Sequence, residues 1–317
     1  MNLKITTFNV ENLFNRYAFL DKAWNNRDYE KYIQAVGLVS LDGRQSGLVS
    51  YEVTNIQRNN TAQAILDMEP DILAIQEIED LYTLRIFNNI YLDNYFDKMI
   101  AILGNDKRGI NVGLAVKKGA KAEILNIRTN ADEGVIERVS ELNNGYDAKG
   151  AIFSRDCLEV DIKVNDKILT FLVNHFKSQD GSNNALERRR KQANRVEKIV
   201  EKLDKEGKYP IVIGDLNVDP NNPQIPGDDS ISSLLNCPIL ADSFPKDTWT
   251  HYYVPEKKVT RLDYILTHKN LNVIGNEINR KGLTTKCKQY KGERYATIGP
   301  EHTEASDHCP TSIILDI

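Results

Sequence analysis

The chain is short of cysteine, of net positive charge and of long apolar runs. Only 4 of its 317 residues are cysteine. Cys157, Cys237, Cys287 and Cys309 stand far apart, with no Cys-x-x-Cys and no Cys/His zinc spacing, so they predict reduced, packed thiols. No stretch approaches the roughly 18 apolar residues that span a bilayer. Runs such as Ile168–Val173 suit buried strands instead, and no stable membrane association is expected. Lysine plus arginine number 41 against 45 acidic residues, a net charge of −4. That argues against a bulk electrostatic nucleic-acid binder, but not against an enzyme with a local basic rim and a bound cation. After Lys4 come Thr6, Thr7 and Asn9, with no apolar h-region and no small-residue cleavage site, so the expected location is the cytoplasm.

What is present is ordinary globular material. Hydrophobic residues make up 41% and charged residues 27%, enough for a full core and unlike a disordered or collagen-like chain. The length fits two average domains or one large α/β or sandwich domain. Short runs rich in Val, Ile and Phe predict strands at Leu3–Phe8, Asp71–Ile75, Val112–Val116, Leu158–Val164, Ile168–Val173, Ile211–Ile213, Leu262–Thr267 and Thr311–Asp316. Leu158, Val160, Ile162 and Val164 alternate before an Asn165-Asp166 turn, which predicts a hairpin and a partly antiparallel sheet. Ala193, Val196, Ile199, Val200 and Leu203 recur at helical spacing within Glu187–Glu206, where Gly207 can stop the helix. A second helix is expected over Thr54–Met68, ending before Pro70. With no Gly/Ser/Pro-rich linker, the reading is a single domain over 1–317, with an insertion at about 15–50 after the first strand. A loop rich in Pro, Asn and Asp is expected over Asp219–Asp229.

Chemistry-bearing residues gather where predicted strands end. These ends read Phe8-Asn9-Val10-Glu11-Asn12, Gln76-Glu77, Asn174-His175-Phe176-Lys177, Gly214-Asp215-Leu216-Asn217, Arg261-Leu262-Asp263-Tyr264 and Ser306-Asp307-His308. Strand ends are where α/β sites are assembled. Singly, each has a bland explanation: an Asx turn for Gly-Asp-Leu-Asn, caps for Asn9 and Glu77, a structural pair for Asp307-His308. Their order and spacing together make that explanation improbable. The pattern resembles the endonuclease/exonuclease/phosphatase superfamily, the deoxyribonuclease-I-like enzymes, from Thr7 to Ile317 outside the insertion.

The resemblance implies a four-layered α/β sandwich, two mixed, mostly antiparallel sheets packed face to face with flanking helices. It also implies a site. Glu77 would be the principal metal ligand, Asn9 would help it, and Asp307 would be a further ligand. Asp215 would orient or deprotonate the attacking water, and Asn217 would bind phosphate or a second cation. His308 would contact the scissile phosphate with Asp263 behind it, and His175 would bind a phosphate oxygen or protonate the leaving group. Asn174-His175-Phe176-Lys177 places the chain nearer the histidine-bearing branch than the abasic-site endonucleases. Arg155 resembles an arginine that holds phosphate, and Asn174, Lys177 and Arg261 complete a candidate substrate rim. Carboxylate and amide donors suit Mg²⁺, with Mn²⁺ as a substitute, better than zinc.

Substrate class is read less directly. Glu187-Arg188-Arg189-Arg190-Lys191 is taken as a solvated helix face with a Glu187–Lys191 pair, and His251, His268 and His302 as surface or loop residues. Thr248-Trp249-Thr250, Tyr252 and Tyr253 offer hydroxyls and stacking faces near the site, or core packing. The favoured reading is a Mg²⁺-dependent phosphodiesterase on nucleic acid, DNA before RNA, acting as endonuclease or exonuclease. The alternatives are hydrolysis of a small phosphoester or lipid headgroup, and an inactive scaffold that binds nucleic acid or protein. A monomer is the default.

Overall fold

Two six-stranded sheets carry the fold. The computed structural model describes residues 1–15, 17–20, 47–50, 53–106, 108–135, 137–141 and 145–317, so most of the expected insertion lies outside the described residues. The first sheet runs in the order β17 (Asn272–Ile278), β18 (Thr311–Asp316), β1 (Asn2–Leu13), β4 (Ile72–Ile78), β6 (Asn111–Lys117) and β5 (Phe96–Ile102). The second runs β13 (Leu240–Asp242), β16 (Asp263–His268), β12 (Tyr209–Asp215), β11 (Lys167–His175), β10 (Cys157–Val164) and β7 (Glu123–Arg128). Three two-stranded sheets stand apart: β2 (Tyr17–Leu20) with β3 (Gly47–Ser50), β8 (Glu137–Glu141) with β9 (Gly145–Lys149), and β14 (His251–Tyr253) with β15 (Lys258–Thr260). Strands β1 and β4 pair in parallel, as do β11 and β12; the predicted β10–β11 hairpin is antiparallel.

Each central strand is apolar on both faces because each face is covered. Leu3, Ile5, Ile72, Ala74 and Leu114 meet Val160, Ile162, Phe171, Ile213 and Ile265 between the sheets. On the outer face of the first sheet, Phe8, Leu73 and Ile75 pack with Ile65 of α1 (Asn55–Met68) and Phe87 of α2 (Leu81–Tyr91). On the outer face of the second, Leu172 and Val212 pack with Ala193, Val196 and Val200 of α3 (Asn183–Lys205). A short α4 (Ser232–Leu235) adds Leu234 to that layer. The result is the expected helix–sheet–sheet–helix sandwich. The four cysteines are free and buried, and among the described residues no helix is long and apolar enough to cross a membrane.

Helix ends follow local chemistry. Helix α1 begins with a capping box between Thr54 and Gln57, and Glu69 closes it in a left-handed conformation before Pro70. Helix α3 starts earlier than its apolar stripe suggests because the Ser182 side chain accepts from Ala185 N and caps it there. The basic run in α3 is a correction to the sequence reading. Arg189 is fully buried and pairs with Asp228, while its Nε donates to Ser230 Oγ at 3.2 Å. Arg190 pairs with Glu187 and Asp229, and Arg188 Nη2 donates to Ala151 O at 3.1 Å. The run therefore pins the Asp219–Asp229 loop to the helix, and Glu187 reaches Arg190 rather than Lys191. Arg189→Ala leaves Asp228 as an uncompensated buried charge, so we expect a loss of about 3–5 kcal/mol, read as a lower urea midpoint.

Candidate active site

The carboxyl ends of β1, β4, β11 and β12 converge on one cleft of about 360 Å³. Its floor joins the two sheets. Asn9 Nδ2, where the regular pairing of β1 with β4 gives out, donates to Asp215 Oδ2 of β12 at 3.0 Å and lies 3.3 Å from Glu77 Oε1 of β4. Asn12 N donates to Glu77 Oε2 at 3.1 Å. Asn217 holds Asp215 from the other side, its backbone N on Oδ1 at 2.8 Å and its Nδ2 on Oδ2 at 3.0 Å. Gly214 lets β12 approach β11 closely: its φ is 128°, and a Cβ there would sit 2.0 Å from Asn174 O. Glu77 and Asn217 take left-handed backbone at φ 65° and 57°, a conformation that carries a steric cost for non-glycine residues.

Two imidazoles face Asp215. His308 Nδ1 meets Asp263 Oδ2 at 2.8 Å, and Thr250 Oγ1 donates to that same oxygen at 2.7 Å. His308 Nε2 is left facing the cleft, 3.8 Å from Asp215 Oδ2. His175 Nε2 lies 3.4 Å from Asp215 Oδ2, and its Nδ1 is buried without a partner. Their charges differ. Burial alone would discourage the His308 imidazolium, but Asp263, Asp307 and Asp215 outweigh it and hold its pKa well above the usual value. Burial, helped by the charges of Arg155 and His308, pushes His175 well below it, so this ring is neutral near neutral pH.

The acids are crowded. Burial raises Asp215 to about 7, with Asp263 adding and His308 opposing. Burial and then the charge of Asp307 raise Glu77 and Glu11, although Arg155 and His308 pull Glu77 back. Asn9, Glu77 and Asp307 line this cleft, and the repulsion between the Glu77 and Asp307 carboxylates is what a hard divalent cation would relieve. The residues present therefore fit such an ion.

The sequence-selected residues divide cleanly. Asn9, Glu77, Arg155, His175, Asp215, Asn217, Asp307 and His308 line the cleft, with Asp263 directly behind His308. Arg155 is buried, with Nη1 on Phe176 O at 3.0 Å and Nε 3.1 Å from Asp106. Three others lie elsewhere. Asn174 alternates with His175 on β11, so it faces away and donates to Leu172 O at 2.8 Å. Lys177 pairs with Asp180 at 3.2 Å. Arg261 pairs with Asp242 at 2.8 Å and lies over the Tyr264 ring, bracing structure rather than facing substrate.

Sequence reasoning passed over Glu11 and His251, while Tyr253, named as a stacking face near the site, does line the cleft. Glu11 lines the cleft, and its Oε2 accepts from Asp307 N at 2.9 Å; its place two residues after Asn9 was the available signal. His251, expected at the surface, is buried in the cleft wall, with Tyr253 stacked at 6.4 Å. Tyr252 instead joins a core cluster with Leu283 and Cys309. His268 is likewise buried, on β16, and pairs with Asp204 at 2.9 Å.

Comparisons with known proteins agree with this architecture. Residues 53–308 match the profile of the Endonuclease/Exonuclease/phosphatase family. An endonuclease/exonuclease/phosphatase from Bacteroides vulgatus is similar in structure, with TM-score 0.60 and 18% identity over 100% of this chain and 99% of that one. The human Nocturnin catalytic domain, solved with a bound sulfate anion, gives 0.58 and 13% over 99% and 94%. A mannosyl-6-phosphatase from Bacteroides thetaiotaomicron gives 0.56 and 16% over 99% and 100%. At these identities the likeness is one of fold. No curated protein matches by sequence.

Proposed function

The chain belongs to the endonuclease/exonuclease/phosphatase family, and from that premise we propose that it is a divalent-cation-dependent phosphodiesterase acting on nucleic acid. Asn9, Glu77 and Asp307 would hold the cation, Mg²⁺ or Mn²⁺, which when bound supplies Lewis-acid stabilisation of the phosphoryl oxygens. The protein's own groups do the rest. Asp215, fixed by Asn9 and Asn217, orients a water and takes its proton, and a carboxylate near pH 7 is matched to that task. The water oxygen bonds to phosphorus as the P–O ester bond breaks. His308, held cationic against Asp263, donates from Nε2 to a phosphate oxygen where charge builds up. His175, neutral, serves as a hydrogen-bond donor rather than as a cationic acid.

The observation that carries the nucleic-acid reading is the cleft wall beside this core. Gln224 brings an amide that suits base edges and sugar hydroxyls. Gln179 and Asn222 each keep one amide atom for the same use beside their bonds to Gln224 N and Val259 O, and Tyr253 offers a half-open ring for a base to stack on. A second reading, a small sugar phosphate, draws on the pairing of both Arg155 and Arg108 with Asp106, which offsets part of the positive charge of a cleft whose other lysine or arginine is Lys258. The mannosyl-6-phosphatase of similar fold lends it weight.

Incubation of supercoiled plasmid and of single-stranded DNA and RNA with Mg²⁺, Mn²⁺ or EDTA tests the proposal. The expected result is cleavage with either cation and none in EDTA. Phosphate release from hexose phosphates without nucleic-acid cleavage would select the second reading, and hydrolysis of neither would leave a binding scaffold.

A further inference from the structure

His251 has no part in the mechanism above, yet its position is closely specified. Its backbone bridges to His308, and the neighbouring Tyr252 N donates to Asp307 O at 2.9 Å, so the main chain holds the three residues together. Its Nδ1 meets Thr260 Oγ1 at 3.0 Å, as His308 Nδ1 meets Asp263 at 2.8 Å. Both rings thus have Nδ1 occupied and turn Nε2 toward one carboxylate. His251 Nε2 lies 3.5 Å from Asp307 Oδ2, and His308 Nε2 lies 3.8 Å from Asp307 Oδ1. A ligand atom from each of the three residues falls within 4.8 Å of the others.

We propose that His251, Asp307 and His308 form a nitrogen-rich divalent-cation site, selective for Zn²⁺ over Mg²⁺. Its occupation excludes the catalytic arrangement above, because Zn²⁺ takes the His308 Nε2 lone pair in place of its proton and claims Asp307 from the oxygen site. Two imidazoles and one carboxylate are a zinc donor set, whereas Asn9 and Glu77 offer only oxygen. Zinc bonds near 2.1 Å put tetrahedral ligands roughly 3.4 Å apart. The two nitrogen–oxygen separations, one to each Asp307 oxygen, are close to that already, and one ligand atom from each residue lies within 4.8 Å of the others. The surrounding contacts are also in place: a carboxylate behind one ring and a hydroxyl behind the other fix the ring orientations, as metal-binding histidines require. Asp307 is 35% exposed, so the fourth position opens to the cleft.

The test is equilibrium binding, independent of turnover. Co²⁺ is titrated in excess Mg²⁺ while its visible absorption is followed, and Zn²⁺ is then used to displace it. Wild type should show the intense absorption of low-coordinate, nitrogen-ligated Co²⁺, removed by Zn²⁺ and not by Mg²⁺. His251→Asn should weaken Zn²⁺ binding by about 100-fold, and Thr260→Val, which disturbs only ring orientation, by about 10-fold. Circular dichroism establishes that each variant folds, and Thr260→Val carries the test if His251→Asn does not. Unchanged Zn²⁺ affinity in the folded variants would overturn the assignment. So would loss of Zn²⁺ in Glu77→Gln with retention in His251→Asn. Zinc binding as assigned, in a protein that hydrolyses no phosphoester, leaves this site standing and removes the proposed function.

Discussion

Asp215→Asn should lower kcat about 10³-fold, the effect expected from removing a positioned general base. KM should move far less, because Asp215 addresses the water rather than the retained parts of the substrate. The variant is not a silent isostere. Its new amide must face the NH₂ groups of Asn9 and Asn217, which both donate to Asp215 Oδ2 at 3.0 Å in the native protein. Those donors lose their acceptor, while the buried charge disappears, and the two effects oppose each other in stability. The pH dependence separates them. Because burial raises Asp215 from 3.8 to about 7, the folded chain keeps a proton there that the unfolded chain has released. In EDTA its contribution therefore falls as pH rises from about 4 to about 7, then levels off. Asp215→Asn should flatten that part of the urea-midpoint profile, and a profile as steep as wild type would refute the buried-base assignment. Adding Mg²⁺ to wild type should raise the midpoint, since the cation binds the folded site.

His308→Ala should cost about 10²–10³ in kcat, the usual loss when one preorganised donor to a developing anion is removed. Asp263→Asn tests how that donor is prepared. Asp263 touches His308 and Thr250, and its Oδ1 has no partner, so much of its charge is directed at the imidazole. The His308 pKa lies well above 6.5 because Asp263, Asp307 and Asp215 together outweigh burial. Its contribution to stability is complete below about 6.5 and fades as pH rises through the elevated folded value. Removing the Asp263 charge should bring the titration, followed by the imidazole Cε1–H resonance, down toward the neutral range. The alkaline limb of kcat/KM should move with it. An unmoved resonance in a folded variant would mean that Asp263 only buttresses the loop.

Much of this was legible in the sequence, for a physical reason. Central strands covered on both faces read as apolar runs, and the residue that ends such a run sits at the edge of the sheet. Glu77, His175 and Asp215 could therefore be picked out at the ends of such runs, and Asp307 from its place just before the apolar run of β18. Edge strands hide better. Along β17 the burial pattern alternates only between exposed and half-buried residues, and β7 is similar, so neither presents an apolar signal. His251 escaped for a different reason. Its strand, β14, spans only His251–Tyr253, too short for any periodicity, and its cleft position comes from a single bridge to a residue far along the chain. Alternation predicts that neighbours on β11 face opposite ways, and applying it to Asn174 and His175 would have separated them at the outset. Arg189 could not be placed, because its partner Asp228 lies in a loop with no periodic pattern.

The left-handed backbone at Glu77 and Asn217, with φ of 65° and 57°, bears on how the protein can evolve in the laboratory. At both positions glycine would adopt the same turn without steric cost. At residue 217 the gain is offset, because glycine would forfeit the Asn217 hydrogen bonds to Phe176 O and Asp215. At residue 77 glycine would also remove a buried carboxylate, so a library screened only for heat resistance should enrich glycine there, at the expense of the proposed cation ligand.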